Sequence, residues 1–527
     1  MNTVELKKNG DLRIQFNGIG FTTSLNQVKT LSGRSFHKGP PVRWEAPPLF
    51  ENLEKLKEWK FSFNREVSNL WKELNKKAEE ITNIDLSNHP ALKRAYPFQV
   101  NGVEFIESRN GRALIGDEMG LGKTVQALCY LKLHPELRPA VIVCPASLKL
   151  NWKKECKTWI NEPCNVISGT TGAGVSNQPI QIINYDILDK RVDILNSEIK
   201  PKVLILDEIH YIKNQKTKRS KAVKKLAKKI KHIIGLSGTP IINRPVEFFP
   251  MLNLLDPMRW KSFWNYAHKF CGAKHNGFGW DFNGSSNPED LHEAVKYTMI
   301  RRLKKDVLPD LPAKIRTVIP VEITNRKEYN QMVSELNDSD SPAIQLTRIE
   351  KLKQLVVEGK IDSCISWIND FLVSEEKLVV FCTHKKIISI LENEFNGKCV
   401  KIDGSCSQNQ KQKAVNQFQN DLKTKLFIGN IKAAGVGLTL TAASSTCFIE
   451  LAWDSGSHDQ AEDRVHRIGQ EADSVNAYYL LGQDTIDMEI AVLLDEKRKV
   501  LDSVLDGKET DESGLLTELM ARLKGDN

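Results

Sequence analysis

No apolar run in this sequence approaches the ~20 residues needed to cross a bilayer, and the opening MNTVELKKNGDL lacks the apolar core of a signal peptide. No C-x-x-C pair occurs among its ten cysteines, whose scatter Cys129, Cys144, Cys156, Cys271 and Cys399 illustrate. That spacing gives zinc ligation no support. Without an export signal, the thiols are expected to be reduced and largely buried. The expectation is an intracellular protein with no membrane partner and no metal cluster. Acidic residues are in slight deficit: 66 Asp and Glu against 75 Lys and Arg leave a net charge of +9. A bias of this size permits a polyanionic partner such as nucleic acid without requiring one.

At 527 residues the chain exceeds one ordinary domain, and roughly 150 residues per domain suggests about three. Residues 1–85 stand apart. Alternating segments such as Arg13 to Phe16 predict strands. The stretch LSGRSFHKGPPVRWEAPP is punctuated by Gly and Pro, with Trp44 near its end. Phe63, Val67, Leu70, Leu74, Ala78 and Ile81 then recur as one face of a helix. A small accessory domain with a helical connector is expected there.

Over 86–255, the runs AVIVCP, IQIINY, KVLILDE and HIIGLSGTP are short, apolar and β-branched, as in strands buried on both faces of a parallel sheet. Helical segments lie between them, so the class is α/β. Residues 256–345 set Trp260, Phe263, Trp264, Tyr266 and Trp280 among glycines and prolines, and predict an irregular, largely helical insertion. LVVFC, KLFIGN and TCFIEL carry a second α/β pattern over 346–500, and 501–527 reads as a charged helical tail. Two α/β lobes suit an ATPase whose nucleotide lies between them.

The stretch richest in chemistry is GDEMGLGKT, Gly116 to Thr124. A glycine-rich loop ending in Gly-Lys-Thr offers backbone N–H groups and one ammonium to polyphosphate. Lys123 is expected at the β- and γ-phosphates, the Thr124 hydroxyl on magnesium, and Gly120 and Gly122 where backbone and phosphate come close. Asp117 stands where the usual G-x-x-x-x-G-K-T has its first glycine. Asp207 and Glu208 end the strand VLIL, so Asp207 is the expected magnesium-side carboxylate and Glu208 the group that polarises the attacking water. His210 reads either as a coupling group or as a structural histidine. In SGTP, Ser237 and Thr239 offer hydroxyls that could sense the carboxylates, or a plain strand-to-turn corner. In QAEDRVHRIGQ, Arg464 and Arg467 are three apart and would share a helix face. They are either guanidinium fingers for the γ-phosphate or part of a solvated charged surface.

In order, YPFQVNGVEFI, GDEMGLGKT, VCPASLKLNW, INYD, LDEIH, LSGTPIINRP, RRLKKDVLPDLP, VVFCTH, DGS, GVGLTLTAA and QAEDRVHRIGQ resemble the Swi/Snf-type (Snf-two) ATPases of helicase superfamily two, over about residues 90 to 500. Asp117 matches the D-E-x-G-x-G-K-T usual there. The resemblance implies two RecA-like lobes, ATP and magnesium in the cleft, and duplex DNA crossing both. It implies Gln99 as the adenine-recognising residue, with Asp117, Met119, Gly120, Gly122, Lys123, Thr124 and Gly437 in the nucleotide-binding set. Arg464 and Arg467 become fingers acting from the second lobe. Ser147 to Lys149, Asn184, Tyr185, Ser237, Thr239 and the loop Gly435 to Thr439 become DNA-contacting and coupling segments.

ELAWDSG departs from the family's E-L-x-W-N-P-G at Asp454 and Ser455, which is expected to loosen the turn before Gln460. QAEDRVHRIGQ and the compact second lobe are similar to the HARP-type annealing-helicase branch. Spaced Val28, Gly33, Arg34, Trp44 and Pro47 resemble the substrate module that precedes the motor in that branch. The expected activity is a DNA-dependent ATPase, a monomer in its minimal form, that translocates on double-stranded DNA and remodels or reanneals branched DNA. A strand-separating DNA or RNA helicase and a non-catalytic ATP-dependent DNA-binding switch are the competing readings. The compact length suggests a bacterial or phage protein in the cytoplasm; a eukaryotic source would place it in the nucleus. The basic run Lys216 to Lys231 has an apolar face of Val223, Leu226, Ala227 and Ile230, and predicts an amphipathic helix with solvated lysines.

Overall fold

The computed structural model describes residues 2–16, 21–37, 43–82, 84–169, 176–238, 240, 244–275, 277, 279–335, 342–374, 376–434 and 438–506, excepting the side chains of 21, 77–82, 342–343, 433 and 497–506. The chain forms two compact units. The first comprises Met1–Gly116, Lys123–Pro145 and Glu155–Arg301; the second comprises Asp117–Gly122, Ala146–Lys154 and the chain from Arg302 onward. Among the described residues no helix is long and apolar enough to cross a membrane.

The first unit opens with a five-stranded sheet of β1 (Thr3–Leu6), β2 (Leu12–Gln15), β3 (Ser35–His37), β4 (Arg43–Ala46) and β5 (Ser62–Phe63), in the order β3-β4-β2-β1-β5. Only the β1–β5 pair is parallel. Period two decides its faces: Leu12 and Ile14 enter the core with Val4, Ala46, Leu53 and Leu56, while Arg13 and Gln15 point away. The helix Arg65–Thr82 buries Val67 against this core and packs Leu70 and Leu74 on it. Gly33 takes φ +66°, and a Cβ there would lie 2.7 Å from Pro47 Cγ and 3.2 Å from the Arg259 carbonyl oxygen. Only glycine lets that turn approach both. Two more bonds fasten this module to the later part of its unit: Lys261 Nζ to Asp11 at 2.7 Å, and Asn265 Nδ2 to the Arg34 carbonyl at 2.7 Å.

A parallel sheet follows, from β6 (Arg112–Ile115), β7 (Ala140–Cys144), β8 (Cys164–Val166), β9 (Ile180–Asn184), β10 (Val203–Asp207) and β11 (His232–Leu236). Beyond β11 come a hairpin of β12 (Lys274–His275) and β13 (Trp280–Asp281), then β14 (Met299–Ile300). The order β14-β6-β11-β10-β7-β9-β8 is parallel throughout. β7, β9 and β10 are buried along their whole length, as expected where helices cover both faces. The aromatic stretch therefore supplies a strand, β14, to this sheet. The helix expected over the basic run is shorter, Lys218–Ala227, starting at a Thr217 hydroxyl that accepts from Ser220 N. Ile230 is buried although it lies beyond that helix.

The second unit holds another all-parallel sheet, from β15 (Ala313–Val321), β16 (Leu378–Cys382), β17 (Cys399–Ile402), β18 (Leu426–Asn430), β19 (Ser445–Phe448) and β20 (Ser474–Gly482), in the order β15-β20-β19-β16-β18-β17. Val379, Phe381, Phe427 and Phe448 pack on one face, and Leu378, Val380, Ile428 and Cys447 on the other. Below the second face, buried Lys360 meets Asp487 Oδ2 at 2.5 Å and the Leu480 carbonyl at 2.7 Å. The helix Ile486–Asp506 closes the described chain and runs into the expected tail 501–527, of which 507–527 lie outside the described residues.

Candidate functional site

The motifs of the first sheet leave its strands at their C-terminal ends, where open parallel sheets present ligands. β6 leads into Gly116 and the loop to Gly122, and the helix Lys123–Leu133 follows. Positive φ at Gly120 and Gly122, 86° and 73°, makes the turn. Lys123 and Thr124 occupy the first turn of an eleven-residue helix, whose leading N–H groups have no intrahelical partner and favour an anion. Buried Val125 to Leu131 fix that helix.

Register brings the next groups level. Leu236 of β11 pairs with Ile115 of β6 on one side and with Asp207 of β10 on the other. Glu208 follows Asp207 with φ 50° and ψ 54°, a left-handed conformation that costs a non-glycine residue about 1–3 kcal/mol. Its N–H donates to Asp207 Oδ1 at 3.0 Å. His210 Nδ1 lies 3.2 Å from Glu208 Oε2 and 3.0 Å from the hydroxyl of buried Ser237. The imidazole therefore stands between the acid at the end of β10 and the hydroxyl at the end of β11, hydrogen-bonded to the hydroxyl. Of the two readings open for His210, this geometry supports coupling.

Tyr185, expected among DNA-contacting and coupling residues, is buried. Its hydroxyl donates to the Asp207 carbonyl at 2.8 Å and its ring stacks on Tyr211 at 5.1 Å. Burial, then the Asp207 charge, holds its phenol well above the ordinary value. A side chain so enclosed is shielded from a DNA phosphate. Asn184 is buried at the end of β9, Ser147 lies in a short turn after β7, and Lys149 begins the helix Lys149–Trp159. Gln99 is buried with Oε1 accepting from Tyr96 N at 3.0 Å, Met119 is buried, and Thr439 is exposed. Thr239, Gly435 and Gly437 lie outside the described residues.

Asp117, expected in the nucleotide-binding set, is held by a side chain from far along the chain. It is buried with Oδ1 accepting from Arg302 Nε at 2.9 Å and Oδ2 from Nη2 at 2.5 Å. A carboxylate would repel a phosphate; here it braces the loop. Neighbouring groups add to the brace: Lys304 N donates to Glu118 Oε2 at 2.7 Å, and Arg301 Nη1 to the carbonyls of Gly116 at 3.1 Å and Gly238 at 3.4 Å. The sequence reading gave Arg301, Arg302 and Lys304 no role in the site. The available signal was RRLKKD itself, a cationic run directly after β14, the strand that pairs with β6 ahead of the acidic loop.

In the second unit the expected helix over Arg464 and Arg467 ends at Glu462, and both arginines lie on the turns that follow. They come together by another route, each donating through Nη1 to the Leu438 carbonyl, at 3.3 and 3.2 Å. The helix stops because its last residues are claimed elsewhere. Glu462 accepts from Arg316 at 2.7 Å, from Lys314 at 2.8 Å and from the Tyr479 hydroxyl at 2.7 Å. Asp463 meets Lys304 at 2.8 Å and Lys314 at 3.4 Å, while Lys304 also donates to the His466 carbonyl at 2.6 Å. Against the desolvation that would raise them, Lys314 and Arg316 hold Glu462, and Lys314 and Lys304 hold Asp463, well below the carboxylate range. At the other end Asp454 does not loosen the turn. Its carboxylate accepts from Ser457 N at 2.7 Å and Oγ at 2.9 Å, capping the helix Ser455–Glu462.

Among the described residues no group of three or more His, Cys, Asp or Glu is arranged to hold a metal on its own. Asp207 and Thr124 offer oxygen donors, which suit magnesium shared with phosphates rather than a full protein cage.

Residues 98–386 match the SNF2-related domain, and residues 359–469 the helicase conserved C-terminal domain. The DNA annealing helicase and endonuclease ZRANB3 of Bos taurus is 36% identical over 462 residues, covering 82% of this chain and 42% of that protein. The SWI/SNF-related matrix-associated actin-dependent regulator of chromatin subfamily A-like protein 1 of Xenopus tropicalis is 36% identical over 441 residues, covering 80% of this chain and 46% of its own. The chain thus spans less than half the length of these relatives. The Sulfolobus solfataricus SWI2/SNF2 ATPase core in complex with dsDNA aligns at 27% identity over 78% of this chain and 93% of that one, with a TM-score of 0.39. With the phosphate loop, the Asp-Glu strand end and the arginine pair all inside matched segments, and the first match spanning over half its length, the chain belongs to the SNF2-related family of helicase superfamily two.

Proposed function

We propose that this chain is a DNA-dependent ATPase that translocates on double-stranded DNA and remodels or reanneals branched DNA. The observation that carries the motor reading is His210, hydrogen-bonded to Ser237 at the end of β11 and with the same Nδ1 3.2 Å from Glu208 Oε2 at the end of β10. A plain hydrolase needs the acid but has no use for a histidine set between two strand ends. The choice of DNA rests on the similarity to annealing helicases.

In this reading Lys123 and the first turn of its helix bind the β- and γ-phosphates, and Gln99 orients the base. Glu208 orients and polarises water. Thr124 and Asp207 would hold magnesium, which when bound neutralises charge on the phosphates. Arg464 and Arg467 supply fixed positive charge to the γ-phosphoryl group. His210 and Ser237 pass the state of the acid to β11. Ser147, Lys149, Asn184 and Thr439 line the path for the DNA backbone, and Tyr185 couples that path to Asp207. Backbone contact of this kind is salt-dependent and weakly sequence-specific.

ATPase turnover with blunt duplex, forked duplex, single-stranded DNA and RNA tests the assignment. Duplex or forked DNA is expected to stimulate most. Stronger stimulation by RNA or plain single strands would favour a strand-separating helicase instead.

A further inference from the structure

Two tryptophans of the first unit stand in solvent and have no part in the chemistry above. Trp264, on the helix Phe263–Phe270, is 47% exposed, and Trp280, in β13, is 43% exposed. They meet edge to face at 5.1 Å. His268 stands edge-on to both, at 4.8 and 4.7 Å. Phe282 lies parallel to Trp280 at 6.4 Å and His275 edge-on to it at 5.5 Å. A single exposed tryptophan needs no explanation. Five rings fastened to one another are different, because they hold flat faces at fixed angles before any ligand arrives.

The composition around the rings says what fits. Residues 261–282 contain three lysines and one aspartate, and no leucine, isoleucine, valine, methionine or glutamate. A protein partner's hydrophobic anchors would meet no aliphatic side chain here. Nucleobases stack on flat rings without regard to sequence, and nearby ammonium groups attend their phosphates. Lys274 is exposed at the foot of the hairpin. The patch also continues. Asn265, beside Trp264, donates to the Arg34 carbonyl, which leads into β3, where Phe36 is 45% exposed and rests on Trp44 at 4.9 Å.

We propose that the Trp264–Trp280 hairpin binds unpaired nucleotides of branched DNA by base stacking. The DNA part of this assignment rests on the function proposed above. A chain that travels on duplex reaches single-stranded stretches at a fork, and stacked bases there would be kept from re-pairing wrongly or released for annealing.

The test uses the full chain, the variants W264A/W280A and W264F/W280F, and three probes: a dT20 oligonucleotide, an rU20 oligonucleotide, and a fork with an unpaired dT arm beside blunt duplex. The double alanine variant is expected to bind dT20 and the dT-armed fork about tenfold more weakly. Its ATPase on blunt duplex should match the parent, and the double phenylalanine variant should keep most of the affinity. Iododeoxyuridine in the unpaired arm should crosslink to the peptides holding Trp264 or Trp280. Unchanged dT20 affinity in the alanine variant, or adducts only elsewhere, overturns the site. Tighter binding of rU20 than dT20 overturns its assignment to DNA. If blunt duplex stimulates no ATPase while dT20 binding still depends on the tryptophans, the motor reading fails and the stacking site stands.

Discussion

At the end of β10, Glu208 sits in the left-handed region with its N–H donating to Asp207 and the His210 imidazole 3.2 Å from its carboxylate. At the end of the helix Ser455–Glu462, Arg464 and Arg467 stand on turns locked by Glu462, Asp463, Lys304, Lys314 and Arg316, a network of buried ions. One position is set by backbone conformation and the other by charge. In the function proposed above the acid polarises water and also reports on what it touches, so a position that can shift at little cost suits it. A guanidinium that stabilises developing charge is useful only if it is already in place, and preorganisation of that kind is where electrostatic stabilisation is largest. The strain at Glu208 and the ion network around the arginines are two answers to two demands.

The contrast breaks most visibly at the arginines. Arg467→Ala should lower kcat by about 10³ with nucleotide binding kept, read in single-turnover hydrolysis; Arg467→Lys should restore little, since a lysine cannot reproduce the planar fork. Next comes the network that holds them. Glu462→Ala leaves Lys314 to Asp463 and Arg316 to Asp459, and should lower unfolding stability by about 3 kcal/mol in urea titrations. Removing the imidazole beside Glu208 costs less. His210→Ala should reduce the stimulation of ATPase by DNA about tenfold while changing basal hydrolysis far less, because it cuts a coupling rather than a chemical group.

The smallest effect lies in the first sheet, which uses the ion-network device in miniature. Glu45 is nearly buried among Lys7 and Arg43, each at 2.7 Å, and His37 at 3.1 Å. Against the desolvation that would raise it, hydrogen bonds from Arg43 and Lys7 hold its carboxyl down at about 2. A carboxyl depressed on folding stabilises fully above its unfolded value near 4.5 and loses that contribution as pH falls toward 2. Urea midpoints of the parent should therefore drop between pH 5 and 3 more steeply than those of Glu45→Gln.

Period and burial made the inner strands readable from residues alone. β7, β10, β16 and β18 are unbroken apolar runs because helices cover both their faces. β15 was missed for the opposite reason. It is an exposed edge strand carrying Lys314, Arg316 and Pro320, the charges and proline that protect such edges. The phosphate loop and the Asp-Glu pair were legible because glycine spacing and a strand-end acid pair have direct chemical reasons. The arginine pair was legible as residues but not as geometry: a helix was expected, and tertiary ion pairs to β15 ended it at Glu462. Asp117 looked like a nucleotide ligand because its partner Arg302 lies 185 residues away, beyond any local pattern. His210 could not be decided until β10 and β11 were known to be neighbours.

The most direct test of the central claim is displacement of a third DNA strand from a triplex, with a blunt duplex of the same sequence beside it. The account predicts that with ATP the parent chain strips the third strand and leaves the blunt duplex paired, and that Glu208→Gln leaves both the third strand and the duplex in place. Separation of the blunt duplex, or third-strand displacement by Glu208→Gln, would contradict it.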